Sequence, residues 1–490
     1  MISATEAVYE VVIGLEVHAQ LTTRSKMFCR CSTAYAGAEP NTHVCPVCMG
    51  MPGVLPVINA AAVEATIRTG LALNCEIPER AKFDRKNYPY PDLMKGYQVS
   101  QFDMPLCRNG YLDVEVEGKK TRIRINRVHL EEDTARLLHR NHDSGDNYSL
   151  LDINRAGMPL MEIVTEPDAR SPQEAVAYLT KLRQILRYLG VSDADMEAGN
   201  FRCEPNLSLR PRGTEKFGSK VELKNLNSFR AALRGMEFEV ERQSRILNEG
   251  GKVPSETRGW REDTQETASQ RSKELAHDYR YFPEPDLPPI AVPREWVAEI
   301  RSTLPELPDA RRERFVSAYG LTSYEANLLT DSRAKADFFE KTVAKGANAK
   351  TVANWMLGDL SKLLNEAGQD FGDPDLKLSP ASLAELLNLL DGGQITGAAA
   401  KGVLRETFET GKAPAEIVAE RGLGVIQDEG VVLEAVRKAI AANEKAVADY
   451  RAGKTAAAKA IMGMVMKETR GRANAAEVMA LIQAELDGPA

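Results

Sequence analysis

The hydrophobic period of this chain changes near residue 290, and that change constrains its fold more than any other feature. Before it, short runs alternate apolar and polar residues, as half-buried strands require. YLDVEVE (111–117), a turn at Gly118–Lys119 and TRIRINRVHL (121–130) read as a β-hairpin. Helical spacing is interspersed over 59–73, 172–190 and 227–250. Strands and helices mix without regular alternation, so the expected class is α+β rather than a doubly wound sheet. The prolines and aromatic pair of RSKELAHDYRYFPEPDLPPIAV (271–292) mark a rigid segment that closes this region. Beyond it the pattern is nearly all helical. Ser379 offers an N-cap and Pro380 a first helical residue, Leu383, Leu386, Leu387 and Leu390 follow at helical spacing, and Gly392–Gly393 stops the run. A further break falls at GKAP (411–414), giving expected domains of 1–292, 293–410 and 411–490.

Charge limits what such a chain can bind. A net charge of -7 over 490 residues argues against indiscriminate coating of nucleic acid, but not against a local RNA-binding patch. The last 60 residues carry nine Lys/Arg against seven Asp/Glu, so the tail is +2 while the rest is -9. That asymmetry suits a terminal module approaching an acidic partner. The amino terminus lacks a signal-peptide pattern, and no run of ~18 apolar residues is available to span a membrane. The expected location is cytoplasmic, without a membrane partner.

Four of the seven cysteines, Cys29, Cys31, Cys45 and Cys48, form C-x-C-x13-C-x2-C. Two close pairs separated by a loop can set four thiolates tetrahedrally around zinc, with no position left open for chemistry. His43 is near enough to substitute as a ligand, and unrelated thiols or a redox pair are the alternatives. In VVIGLEVHAQL (11–21), alternation sends Ile13, Leu15, Val17, Ala19 and Leu21 to the core and leaves Glu16, His18 and Gln20 on the other face. Arg127, His129 and Glu131 are in phase with Asp133 following, and Asp152, Asn154, Arg155, Glu162 and Glu166 surround a Gly-Met-Pro turn. Carboxylates within apolar strands cost several kcal/mol to desolvate unless paired or metal-bound. Oxygen ligands of this kind suit Mg²⁺, with Mn²⁺ also compatible with the imidazole. Taken singly, each acid also fits a solvated strand face or a pair with a nearby arginine.

GKT at 453–455 is not a phosphate loop, because Ala448 stands where the pattern needs glycine. No G-x-G-x-x-G opens a helix after a strand, and neither a serine amidase setting nor a Cys–His pairing for glutamine hydrolysis is present.

The blocks IGLEVHAQL (13–21), SKMFCRCS (25–32), KFDRKNYPYPDLMKGYQVSQFD (82–103), RVHLEED (127–133), LLDINRAGMPLMEIVTEPD (150–168), EAGNFRCEPNLSLRP (197–211), KVELKNLNSF (220–229) and DYRYFPEPDLPP (278–289) resemble, in order, the B subunit of the tRNA-dependent amidotransferases. The resemblance implies a glutamine-synthetase-like cradle with an antiparallel sheet, an all-helical domain and a helical tRNA-binding tail. It implies an ATP-dependent carbon–nitrogen ligase that phosphorylates the side-chain carboxylate of Glu-tRNA(Gln) or Asp-tRNA(Asn). An amidase partner (the A subunit), held with a small third partner (the C subunit), would then supply ammonia from glutamine through a channel. Carried over, Glu16, His18, Glu131 and Glu162 correspond to a Mg²⁺-binding catalytic set, and Cys29, Cys31, Cys45 and Cys48 to a zinc knuckle at 29–48. Asn154, Arg155, Asn206, Ser208 and Arg210 correspond to the pocket lining, and Lys454, Lys459, Lys467, Arg470 and Arg472 to phosphate contacts on tRNA. Two competing readings are a non-catalytic zinc-containing tRNA-binding protein, and a free-standing ligase acting on a small amino acid.

Overall fold

The computed structural model describes residues 8–141, 147–272, 278–426, 428–469 and 471–487. The chain divides into two compact units, Met1–Leu307 and Pro308–Ala490.

The strands of the first unit used below are β1 (Tyr9–Gln20), β2 (Asp84–Asn87), β3 (Tyr97–Ser100), β4 (Cys107–Val116), β5 (Lys119–Glu132), β6 (Pro159–Thr165), β7 (Phe201–Pro211), β8 (Val221–Lys224), β9 (Glu256–Arg261), β10 (Glu266–Ser272) and β11 (Phe282–Pro283). Eight of them make one sheet in the order β10-β9-β8-β7-β1-β6-β5-β4, antiparallel except between β8 and β9. A small second sheet runs β11-β2-β3. Strand β1 sets the register. Ile13, Leu15, Val17 and Ala19 are essentially buried, while Glu16 and His18 point the other way. A slip of one residue would send those charges into the core, so the alternation itself specifies the pairing.

The β4–β5 hairpin turns at Glu117–Gly118, one residue earlier than the spacing indicated, with Val116 paired to Lys119. Both turn residues have positive φ, 51° and 79°. A two-residue hairpin loop of the mirror-image type I′ requires that, and it matches the twist of the strands.

Helices α1 (Ala60–Ala72), α2 (Pro172–Leu189) and α3 (Phe229–Asn248) cover the apolar face of the sheet. Each begins where a short polar side chain can satisfy free amides: Asn59 accepts from Ala61, Ser171 from Glu174 and Ser228 from Ala231. Leu179, Leu182 and Leu186 of α2 share one core with Ile13, Leu15 and Val17. Each such buried side chain contributes roughly 1.5–3 kcal/mol. Helix α4 (Arg294–Ser302) packs on α1 and puts Val297 and Ile300 into that core. The first unit therefore runs to Leu307 rather than closing at 292, because the apolar stripe of α4 has its partners there.

In the second unit, α5 (Pro308–Tyr319) to α12 (Pro414–Arg421) surround one apolar core, from Phe315 to Ile417. A separate core, from Val432 to Leu486, joins α13 (Glu429–Ala441), α14 (Glu444–Arg451), α15 (Ala458–Glu468) and α16 (Ala475–Asp487). The change of core thus falls between Ile417 and Val432, past the GKAP turn. Ser379 caps the helix that begins at Pro380. Among the described residues, no helix is long and apolar enough to cross a membrane.

Candidate functional site

The face of the large sheet opposite its helices is polar, and its centre lies where β5, β6, β1 and β7 run side by side. His18 on β1 stands opposite Glu162 on β6 and Arg202 on β7, and Glu162 stands opposite His129 on β5. His18 Nε2 lies 3.6 Å from both Glu131 and Glu162, and His129 Nε2 lies 3.2 Å from Glu162. Glu131 is 2% exposed and Glu162 7%, so their charges are largely removed from water. One ligand atom each from His18, Glu131 and Glu162 falls within 4.8 Å of the others, a spacing that can hold a metal ion. Two carboxylate oxygens and an imidazole form a donor set compatible with a hard divalent ion.

The electrostatics express the same crowding. Burial opposes the charge on His18, but Glu162, Glu131 and Glu204 outweigh it and raise the imidazole to about 9. Burial likewise opposes ionisation of Glu162, yet His129 and His18 hold its pKa well below the ordinary carboxylate range. The two carboxylates draw positive charge to this point.

Of the other residues expected here, Glu16 does not join the three ligands. Asn206 donates to its carboxylate at 2.9 Å and holds it two positions along β1 from His18. Arg210 pairs with Glu10 at 2.6 Å. It lies eight residues along β7 from Arg202, about 26 Å at ~3.3 Å per residue. Ser208 is buried opposite Val12. Arg155 donates to the carbonyls of Thr134 and Ala135 and stands 3.8 Å from buried Asp133. Asn154 is fully buried and serves the cysteine loop, accepting from the His43 amide and donating to the Glu39 carbonyl.

Several residues at the centre escape a reading of the sequence alone. Ser100 on β3 donates to Glu131 at 3.1 Å. Lys86 on β2 faces Glu131 and Glu162. Burial works against its ammonium, but these carboxylates outweigh that and raise its pKa. Its Nζ also lies 5.2 Å from the centre of the Tyr279 ring. Tyr88, Tyr279, Tyr281 and Phe102 continue as an aromatic series, ending in a stacked Tyr281–Phe102 pair 4.2 Å apart. Arg202 bonds Asp133 at 3.2 Å, and Lys224 on β8 bonds Glu204 at 2.8 Å. In FRCEPNL (201–207) and VELK (221–224) these polar residues alternate with apolar ones, a signal sufficient to have found them. Strand β2 reads DRKN, with no apolar residue to mark a phase, so alternation does not reveal Lys86.

The four sulfurs of Cys29, Cys31, Cys45 and Cys48 lie within 4.8 Å of one another. Cys48 is 4.0 Å from Cys31 and 3.9 Å from Cys45. Zinc–sulfur bonds of ~2.3 Å in a tetrahedron place sulfurs about 3.8 Å apart, so the donor set fits a tetrathiolate metal. His43 is outside this group, its Nδ1 3.3 Å from the Ser32 carbonyl oxygen. A hydrogen bond from Cys29 outweighs burial and, with the Lys26 ammonium, lowers the Cys48 thiol. Burial and crowding push Cys31 up.

In the tail, Lys459 and Lys467 are exposed on α15, opposite the buried Ala458, Ile461 and Val465. Lys454 pairs with Asp449 at 3.0 Å. Arg472 is half-buried and donates to the Gly422 carbonyl, and Arg470 lies outside the described residues.

A sheet carrying a buried acid–imidazole cluster, followed by helical modules, defines a class when joined to sequence comparison. Residues 11–298 match the family model described as the GatB/GatE catalytic domain, and residues 337–486 match that described as the GatB domain. The chain belongs to the GatB family. Along nearly its whole length it is similar to proteins named as the B subunit of aspartyl/glutamyl-tRNA(Asn/Gln) amidotransferase. That of Dehalococcoides mccartyi is 53% identical over 487 residues and that of Carboxydothermus hydrogenoformans 53% over 478, each pairing covering 98% of this chain and 99% of the relative.

Proposed function

We propose that this chain is the carboxylate-activating subunit of a tRNA-dependent amidotransferase, working beside an amidase partner (the A subunit) and a small third partner (the C subunit). The observation that carries this is the convergence of His18, Glu131 and Glu162 on one polar sheet face, flanked by Lys86 and Arg202. A carboxylate is a poor electrophile, so amide formation needs an acyl phosphate first. A side-chain carboxylate oxygen of Glu or Asp on tRNA attacks the γ-phosphorus of ATP, and ADP leaves. Ammonia from the partner's glutamine hydrolysis then attacks the acyl carbon, and phosphate leaves with that oxygen.

His18, Glu131 and Glu162 would hold Mg²⁺, which when bound offsets charge building on the transferred phosphoryl group. Lys86 and Arg202 bring further positive charge to the same centre. Ser100 fixes the Glu131 carboxylate, Asn206 fixes Glu16, and Tyr88 and Tyr279 set their rings against the Lys86 ammonium. The four cysteines would hold zinc in a structural role. Lys454, Lys459, Lys467 and Arg472 would meet tRNA phosphates, with Lys454 exchanging its pairing to Asp449.

Glu131→Gln and Glu162→Gln keep side-chain shape while removing charge. Each should cut ATP-dependent activation by about 100-fold or more, the scale for losing one preorganised electrostatic contact. Binding of tRNA should be unchanged. Full amidation by both variants would disprove the assignment of the acid–imidazole cluster.

A further inference from the structure

Lys26 is 1% exposed. Its Nζ donates to the His43 carbonyl oxygen at 2.8 Å, lies 3.5 Å from the Ile153 carbonyl oxygen, and stands 3.7 Å from Cys48 Sγ. A buried ammonium costs several kcal/mol unless an anion compensates it. Among the described residues Lys26 makes no ion pair with a carboxylate, and the group within its reach that carries negative charge when it ligates a metal is the Cys48 sulfur. Gly157, at φ 81°, packs beside this lysine, where an added Cβ would be in ordinary van der Waals contact, 3.6 Å, with Lys26 Cδ and Cys48 Cβ. The Met27 amide also bonds the Gly157 carbonyl at 2.7 Å.

We propose that Lys26 is a built-in counter-cation for the four-cysteine cluster, strengthening its hold on a divalent metal ion. The inference rests on the reading that these cysteines bind such an ion. Four thiolates around a divalent ion carry a net charge of two minus. In a half-buried setting that excess is costly, and a fixed ammonium against Cys48 halves it. The carbonyls of His43 and Ile153 orient the ammonium, so its charge is directed at the sulfur rather than at solvent. Lys26 therefore acts as a positioning residue and leaves the four ligands to bind the metal.

The test uses full-length protein loaded with Zn²⁺, measuring apparent metal affinity by competition with a chromophoric chelator. Lys26→Met should weaken retention about 10- to 100-fold, the range typical when an outer partner of a metal ligand is lost. Lys26→Arg, which keeps the charge, should retain metal far better than Lys26→Met. If Lys26→Met does not fold, Lys26→Gln takes its place, keeping a donor to the His43 carbonyl while removing charge. Melting temperature with and without metal separates charge from packing: a counter-cation role lowers it chiefly in the loaded protein. Equal metal affinity in wild type and Lys26→Met, or equal loss in the Met and Arg variants, would overturn the proposal. Wild-type protein that binds no zinc at Cys45 and its partners would overturn the cysteine reading itself, and with it this inference.

Discussion

Replacing Glu284 by glutamine probes how the segment beside Lys86 is held in place. The Arg85 guanidinium grips Glu284 through two hydrogen bonds, 2.8 Å from Nε and 2.7 Å from Nη2. Glu284 is 1% exposed at its side chain and Arg85 21%. This pair fastens the segment bearing Tyr279 and Tyr281 to β2, the strand that carries Lys86, and the Asn87 amide adds a bond to the Tyr279 carbonyl. Glutamine keeps the shape but one acceptor oxygen only, and turns an amide donor toward the guanidinium. Losing a hydrogen bond to a charged group costs about 1.5–3 kcal/mol, and breaking a buried pair outright ~3–5 kcal/mol. Asp286, 3.5 Å from Arg85, recovers part of this. The expected loss is therefore about 2–3 kcal/mol, a local opening roughly 30- to 150-fold more frequent at ~1.4 kcal/mol per factor of ten. Hydrogen exchange of peptides spanning 278–287, with α2 peptides as internal reference, reads it directly. Amidation should fall as the tyrosines beside Lys86 loosen, while tRNA binding stays. Exchange within about threefold of wild type would refute the reasoning that this pair holds the segment.

Other outcomes follow from the same geometry. Cys45→Ser should lose one zinc per chain, read by elemental analysis of freshly purified protein, and should melt lower than wild type. Lys459→Glu with Lys467→Glu should weaken tRNA binding and flatten its salt dependence, as fewer counterions are released. Equal slopes in wild type and variant would remove these lysines from the interface. Glu239 is fully buried and bonded by Arg242, Gln243 and Thr267. Glu239→Ala should cost about 3 kcal/mol in urea unfolding, the low end for breaking a buried pair, since it takes a bonded carboxylate from Arg242 and Arg258 and leaves them Glu256 as their shared partner.

Much of this site is legible where strands are long. The twelve residues of β1 alternate cleanly enough to put Glu16 and His18 on one face, and Arg127, His129 and Glu131 share a phase in β5. Alternation gives the face but not the neighbours. That His18 meets Glu162, while Glu16 is held aside by Asn206, depends on register between strands some 140 to 190 residues apart in sequence. Asn154 illustrates the converse. It stands in a motif beside the acids, yet its buried amide stitches the cysteine loop to a turn. The helical half is legible from caps such as Ser379. Its change of core is displaced because Ile417 of α12 packs backward onto the first helical set. Lys86 stays hidden because its strand, DRKN, has no apolar residue to set a phase, and its meaning comes from carboxylates on other strands.

The most direct test of the central claim is reconstitution with the amidase and the small third partner, following ATP cleavage and amide formation on Glu-tRNA(Gln) and Asp-tRNA(Asn). Amide should form only when this chain, ATP, Mg²⁺ and an ammonia source are all present, and should be lost with Glu131→Gln. Tight tRNA binding without ATP turnover would contradict the account, and would leave the acid–imidazole cluster a structural feature of an RNA-binding protein.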